Sequence, residues 1–371
     1  MSLRALVFCS DEKTLRVLRR VLSELEIQVE HCPQTDLAIN KLTRQRFEAI
    51  VVDCTTVHAA SQVLRSARSA PCNKRAVTVA IIDAEQATNS GFDKGAHFVL
   101  HKPLDLERTK SSFHAIRALM KRERRRNLRL PLQIPVILIA ENNSAQFGAI
   151  TTDLGEGGMA IQAPRYPKGP MRICFDLPGI ETTIECIGEI AWENGEQQAG
   201  IRFMNVSPEM HGHLKSWLDQ NSPEIEKSDP PTPCKLTDLS PGGCYLETSA
   251  PFPVRTRVVL TLKAADVSVQ LDGMVRVMHP DMGMGVEFTQ NATQQALLEK
   301  FIYALTTTKG AVPELFVEPE GLENTDSEWD VATQEFADPL LELFHKKVGL
   351  DTESFLAELR RQRGQPQATV S

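Results

Sequence analysis

The chain of 371 residues has no Cys-x-x-Cys pair, no histidines at metal-binding spacing and no apolar run long enough to span a membrane. Its eight cysteines, at 9, 32, 54, 72, 174, 186, 234 and 244, are scattered, mostly through apolar strand-like stretches. That distribution excludes a disulfide framework and reads as reduced buried thiols of a cytoplasmic protein. His211 and His213 fall on different sides of a helix, so they read as surface residues rather than ligands. The apolar run after Met1-Ser2-Leu3-Arg4 stops at Cys9, too soon for a signal peptide. Aromatic residues make up only 6%, which offers no stacking platform for nucleic acid. No pattern assembles a nucleophile, a base and oxyanion donors, so a non-catalytic protein is expected.

What is present is ordinary in bulk and uneven in detail. Hydrophobic residues at 42% and charged residues at 24% suit a globular chain, and the length predicts two or three domains. The net charge of −7 hides a local asymmetry. Residues 121–129 hold six Lys or Arg against one Glu, whereas residues 312–338 hold nine Asp or Glu and no base.

Residues 1–120 alternate β and α character, as in a doubly wound α/β domain. Continuous apolar strands are predicted at 5–9, 49–52, 77–82 and 98–100, and helical spacing at Leu15, Leu18, Val21, Leu22 and Leu25. A last helix is expected from about Asp105. Polar residues close the strands: Asp11 and Glu12, then Asp53, then Asp83, then Lys102. From 121 to 220, short strands split by Gly, Pro and Asn turns predict a small antiparallel barrel, followed by a helix starting at Ser207-Pro208. Residues 221–233 carry Pro223, Pro230, Pro231 and Pro233, a stiff linker. A second barrel is expected over 234–308, shorter than the first. Residues 309–332 read as an acidic flexible linker and 333–363 as amphipathic helices that must dock on this chain or a partner.

Two motifs stand out. Arg124-Arg125-Arg126-Asn127-Leu128-Arg129 sets Arg125 and Arg129 four residues apart, just ahead of the first barrel strand. Thr152-Asp153-Leu154-Gly155-Glu156-Gly157-Gly158 then offers a carboxylate and three glycines at a strand end. The turn recurs as Asp238-Leu239-Ser240-Pro241-Gly242-Gly243. The same offset relates Gly188 to Gly273, Gly200 to Gly285, Phe203 to Phe288 and Leu177 to Leu262, which predicts a duplicated domain in ungapped register. The copies are unequal. The first has the arginines but Gly155 within its turn, and the second has Ser240 but no arginine between Ser222 and Lys235.

This RxxxR arm and (D/N)xSxxG turn resemble those of the PilZ family, whose members bind the bacterial second messenger cyclic di-GMP. Guanidinium groups can fork onto guanine O6 and N7 or onto phosphate, a carboxylate can accept from a guanine edge, and glycines admit close backbone approach. The resemblance implies a ligand site of Arg124, Arg125, Arg129, Asp153, Gly155 and Gly158, with a second-copy turn at Asp238, Ser240 and Gly243. The N-terminal third resembles a response-regulator receiver domain. That resemblance implies a phosphoacceptor site of Asp53, Asp11, Glu12 and Lys102, with Mg²⁺ at Asp11, Glu12 and Asp53. Asp83 stands where that family has Thr or Ser, so phosphorylation is expected to be poor. The expected fold is multidomain: an α/β doubly wound receiver-like domain, two PilZ-like antiparallel barrels and a C-terminal helical tail. The expected role is a cytoplasmic bacterial signalling protein that binds cyclic di-GMP through the first barrel, and that has a protein partner or self-associates through the receiver-like domain or the tail. The competing readings are a scaffold whose degenerate modules no longer bind nucleotide, and a nucleic-acid binder using the basic arm.

Overall fold

The computed structural model describes residues 2–83, 95–141, 144–194, 197–222, 229–264, 267–289, 292–307, 313–323, 339–345 and 352–364. They divide into two compact units, Arg124–Lys227 and Ser2–Glu123 together with Ser228–Ser371.

The second unit begins with a parallel sheet of β1 (Leu3–Phe8), β2 (Ile27–His31), β3 (Ala49–Asp53), β4 (Val77–Ile82) and β5 (Phe98–His101), in the order β2-β1-β3-β4-β5. Strands β3 and β4 are buried along their whole length, which is why they read as unbroken apolar runs. The helices are α1 (Glu12–Glu24), α2 (Thr35–Arg44), α3 (Val57–Ser69) and α4 (Leu106–Arg126). Leu15, Leu18, Val21 and Leu22 form the buried face of α1, as their spacing predicts. Cys72 departs from the buried-thiol expectation and is exposed, whereas Cys9, Cys32, Cys54, Cys186 and Cys244 are buried.

The Arg124–Lys227 unit is a barrel. Its strands are β6 (Arg129–Pro131), β7 (Pro135–Ala140), β8 (Gln146–Gly155), β9 (Gly158–Gln162), β10 (Met171–Phe175), β11 (Ile184–Glu193) and β12 (Gln198–Val206). The sheet order is β6-β8-β7-β10-β11-β12-β9, and β9 pairs back onto β8, closing six strands with β6 outside the ring. Helix α5 (Pro208–Asn221) follows, capped by the Ser207 hydroxyl, which accepts from Met210 N at 3.3 Å. It buries Leu214, Trp217 and Leu218 with the barrel core.

The second barrel comprises β13 (Thr232–Leu239), β14 (Gly243–Glu247), β15 (Thr256–Ala264), β16 (Val267–His279) and β17 (Gly283–Phe288), then helix α6 (Ala292–Thr307) and strand β18 (Glu314–Leu322). The expectation of a shortened barrel followed by an acidic linker is corrected here. The barrel closes with six strands in the order β13-β14-β17-β16-β15-β18. β18 lies between β13 and β15, the place that β7 holds between β8 and β10 in the first barrel. Leu138 of β7 pairs with Phe147 and Ile173, and Val317 of β18 pairs with Thr232 and Leu260. The second barrel is thus a circular permutation of the first: the strand that opens one copy closes the other. Its acidity misled because Glu314 and Glu318 are exposed while Leu315 and Val317 are buried in the barrel.

The register is also not ungapped. Ile173 pairs with Cys186, and Leu260 pairs with Leu271, so Leu260 rather than Val258 stands where Ile173 does. Strand β15 has slipped by two residues, which keeps the same side chains inward and removes the Leu177–Leu262 equivalence.

One buried apolar cluster joins the parallel sheet and α4 (Phe113, Ile116, Leu119) to the second barrel (Leu260, Leu271, Val286). Receiver-like domain and second barrel therefore share a core. The tail forms α7 (Pro339–His345) and α8 (Thr352–Gly364), which pack on that barrel through Leu340, Phe344 and Phe355 against Tyr245. Among the described residues no helix is long and apolar enough to cross a membrane.

Candidate functional site

In the first barrel the two motifs meet. Arg124, Arg125 and Arg126 form the last turn of α4 and are half-buried, and Leu128 N donates to Arg125 O at 2.9 Å to turn the chain. Arg129 then opens β6, which pairs Arg129 with Gly155, Leu130 with Leu154 and Pro131 with Asp153. Arg129 Nη1 donates to Asp153 Oδ1 at 2.7 Å, and the same oxygen accepts from Ala160 N at 3.2 Å. The β8–β9 pairing is irregular between Thr151 and Asp153, a bulge that sets the direction of the carboxylate. Thr151 helps hold the incoming chain, its hydroxyl donating to Leu132 O at 2.5 Å and accepting from Ile134 N at 3.0 Å.

The glycines have distinct reasons. A side chain begun at Gly155 would meet Leu128 O at 2.6 Å and Arg129 Cγ at 3.1 Å, so glycine here lets the arm lie on β8. One begun at Gly158 would overlap the Ile201 carbonyl oxygen. A residue that sequence reasoning missed lies on the adjoining strands. Trp192, 47% exposed, lays its indole across Gly200, which pairs with Ala160, itself paired with Asp153. Its signal was an aromatic directly opposite a glycine in the duplicated register, with Val277 at the equivalent place in the second copy.

The second-copy turn keeps the bulge, between Leu236 and Asp238, but is used differently. Ser240 Oγ accepts from Gly243 N at 3.1 Å, and Ser240 N donates to Gly243 O at 2.8 Å, closing the turn on itself. Asp238 Oδ1 accepts from Leu239 N at 2.9 Å. No strand equivalent to β6 precedes β13 among the described residues.

The first half of the basic segment is spent inside the other unit. Lys121 and Arg117 donate to Asp229 at 2.7 and 2.8 Å, Arg122 to Glu320 at 2.8 Å, and Glu123 accepts from Leu322 N at 2.7 Å. Lys121, Arg122 and Glu123 are buried by these contacts. A continuous basic face for nucleic acid is therefore not formed over 121–129.

The receiver-like cluster is self-satisfied. Lys102 Nζ stands 2.8 Å from Asp53 Oδ1, donates to Thr55 Oγ1 at 2.7 Å and lies 3.9 Å from Asp83. Burial alone would raise the Asp53 carboxyl, but donation from Lys102 and Thr55 outweighs it and holds the group below the ordinary carboxylate range. The Cys9 thiol donates to Asp53 Oδ2 at 3.4 Å and is pushed up to about 12 by burial and by that carboxylate, so it is not a nucleophile. Asp11 caps α1, accepting from Thr14 Oγ1 at 2.6 Å and Thr14 N at 3.1 Å, and Glu12 is exposed in the first turn. Among the described residues no three His, Cys, Asp or Glu side chains cluster as a metal site. The donor set does not fit Mg²⁺: one carboxylate is tied to a lysine, one is a helix cap, and the third group beside Asp53 is a thiol. A cleft beside this region is lined by Lys102, Asp105, Arg108, Met278 and Asp281 and includes no residue of either turn motif.

A PilZ domain model matches residues 123–220 and again 221–304, together just under half of the chain. No curated protein matches. Among solved structures, a response regulator from Chloroflexus aurantiacus J-10-fl matches with 18% identity over 31% of this chain and 98% of its own, at a TM-score of 0.29. The receiver domain of sensor histidine kinase PA1611 from Pseudomonas aeruginosa PAO1, solved with magnesium in its active-site cleft, matches with 20% identity over 32% and 98%, at 0.29. The PilZ domain of CeSA from a cellulose-synthesizing bacterium matches with 19% identity over 25% and 97%, at 0.21. At such TM-scores these likenesses carry nothing about function. The chain thus has a five-stranded α/β domain of strand order β2-β1-β3-β4-β5, and after it two segments that each match the PilZ domain model. PilZ domains are generally non-catalytic, and the pair supports a signalling receptor of the cyclic di-GMP type.

Proposed function

We propose that this chain is a non-catalytic receptor that binds cyclic di-GMP on the first barrel, with Arg124, Arg125, Arg129, Asp153, Gly155 and Gly158 as its contacts. The observation that carries the reading is the Arg129–Asp153 pair on the bulged end of β8, with the last turn of α4 supplying Arg124 and Arg125 just before it. A cation and a carboxylate that satisfy each other at 2.7 Å, 42% and 33% exposed, form a site at rest. The ligand offers both exchanges at once. Its phosphate or guanine O6/N7 replaces the carboxylate on Arg129, and a guanine N–H edge replaces the guanidinium on Asp153. Binding then requires the arm to move from its own carboxylate to the ligand, and that rearrangement is the means of relay. The receiver-like domain, second barrel and tail serve a protein partner or self-association.

Calorimetric titration of the full chain with cyclic di-GMP tests the reading. Saturable binding that Arg129→Ala weakens supports it. No heat and no shift in melting temperature at high micromolar ligand would overturn it.

A further inference from the structure

The second barrel carries a built site that nucleotide binding does not use. In the first barrel Gly200 is covered by an aromatic ring from its own sheet, Trp192 of β11. In the second, the residue opposite Gly285 is Val277, which is too short to cover it. The ring instead comes from the tail. A side chain begun at Gly285 would meet Phe344 Cε1 at 2.5 Å and Cζ at 2.7 Å, and one begun at Gly243 would meet Leu341 Cδ2 at 3.2 Å and Phe344 Cε2 at 3.3 Å. Gly243 is the last glycine of the copied turn motif, so α7 sits on the motif's own face. The second tail helix completes the cover. Phe355 stands 5.4 Å from the Tyr245 ring and 4.7 Å from His279, centroid to centroid. Leu340, Leu343 and Leu359 are buried with them.

We propose that the second barrel has exchanged nucleotide binding for helix binding. Its Gly243–Gly285 hollow is a receptor site for an amphipathic helix with an aromatic anchor. The chain's own Leu340-Leu341-Glu342-Leu343-Phe344 is the resident occupant, and the same segment of a second copy is the one that enters when the resident leaves. The fit argues for that occupant rather than an unspecified partner. Two glycines without side chains leave room that this leucine and this phenylalanine fill, and the contact is of the helix-in-groove kind, anchored by apolar residues one turn apart. A cyclic dinucleotide gains little there, since no arginine arm precedes β13 and the hollow is apolar. The inference stands whether or not the first barrel binds cyclic di-GMP.

The test uses the full chain and a fluorescein-labelled peptide of residues 339–364. In the double variant Leu341→Asp/Phe344→Asp, carboxylates expel the resident helix, and anisotropy should report saturable one-to-one capture of the peptide. Wild type, already occupied, should bind it at least tenfold more weakly. Adding Gly285→Val to the double variant should abolish capture. A double variant that melts cooperatively yet captures no peptide would overturn the proposal, as would displacement of captured peptide by cyclic di-GMP. Should the double variant not fold, hydrogen exchange on Gly285→Ala decides. Protection lost in 339–345 and 352–364, with the barrel strands unchanged, supports the site, and an unchanged tail refutes it.

Discussion

The two barrels share a strand plan, a bulged turn and paired glycines, yet they are completed by different pieces of chain. The first takes β6 and β7 from upstream, with the arginines at the head of that segment. The second takes β18 from downstream and has a helix pair on its turn face. The copy whose ring is closed from downstream is also the copy whose upstream segment lacks arginines. In the second copy β18 holds the place that β7 holds in the first, and the sequence from Ser222 to Lys235 carries no arginine. If the first barrel alone binds cyclic di-GMP, as proposed, the difference lies in the segment that precedes the barrel and not in the turn motif that both copies share.

The largest expected contrast is in ligand affinity. Arg129→Ala removes a charge-assisted contact and should cost about 2–4 kcal/mol of cyclic di-GMP binding, read by calorimetry. Asp238→Ala in the second copy should leave affinity within error. Equal losses from both would mean that both barrels bind and would break the comparison.

Much of this was legible in the sequence, and the gaps have physical causes. Unbroken apolar strands, the Leu15–Leu22 helical stripe and the Ser207-Pro208 cap encode local geometry directly, and the structure has them. The duplication and both motifs were visible as spacing. Strand β18 was not, because Glu314, Glu318 and Glu320 surround the two inward residues, and charge density there reads as disorder. Permutation is invisible to any local pattern, since a strand's residues do not say which neighbours it will pair with. Burial of Lys121 and Arg122 was hidden for the converse reason: their partners, Asp229 and Glu320, lie far along the chain.

The next contrast is in pH. His279 lies under the tail, its Nδ1 hydrogen-bonded with the Tyr245 hydroxyl at 2.9 Å, and burial lowers its pKa to about 4. The unfolded or undocked ring titrates near 6.5, so between those values the open state holds more protons. Stability of the covered face is complete above about pH 6.5 and falls as pH drops toward 4, by at most about 3 kcal/mol. Limited proteolysis of the tail from pH 7 to 4 should show progressive release. His279→Gln, which keeps a polar partner for Tyr245 but does not titrate, should flatten that dependence. His97 is lowered to about 3 by burial and acts in the same direction on the parallel-sheet domain, so cleavage within the tail is the readout rather than global melting. A tail equally resistant at both ends of the range would contradict this account.

A smaller effect tests the turn that the copies do not share. Gly155→Ser gives the first copy the hydroxyl of Ser240, and motif similarity alone would predict tighter ligand binding. The geometry predicts the reverse. The new Cβ would lie 2.6 Å from Leu128 O, so the arm must lift from β8, costing roughly 1–3 kcal/mol of strain or lost pairing. Hydrogen exchange should rise at 128–131 and affinity should fall. Tighter binding with an unchanged arm would mean that the arm stands off β8 in solution.

The smallest expected effect is none at all, at Asp53. A transferred phosphoryl group needs an accessible carboxylate, a cation to neutralise it and a donor to hold its oxygens. Here Lys102 is already shared among Asp53, Thr55 and Asp83, the Cys9 thiol donates to Asp53, and Asp83, 3.9 Å from the same lysine, adds a carboxylate that would repel an incoming dianion. Incubation with Mg²⁺ and a small phosphodonor should leave the intact mass unchanged and the cyclic di-GMP affinity unaltered. Asp83→Thr removes the repulsion and supplies a hydroxyl, so any adduct should appear in that variant first. Because the receiver-like domain shares its core with the second barrel, an adduct there would strain the copy that lacks arginines rather than the one that has them. Stoichiometric phosphorylation of the wild type, lost in Asp53→Ala and accompanied by release of the tail, would make the second barrel the output of a phosphorelay and the first an independent sensor.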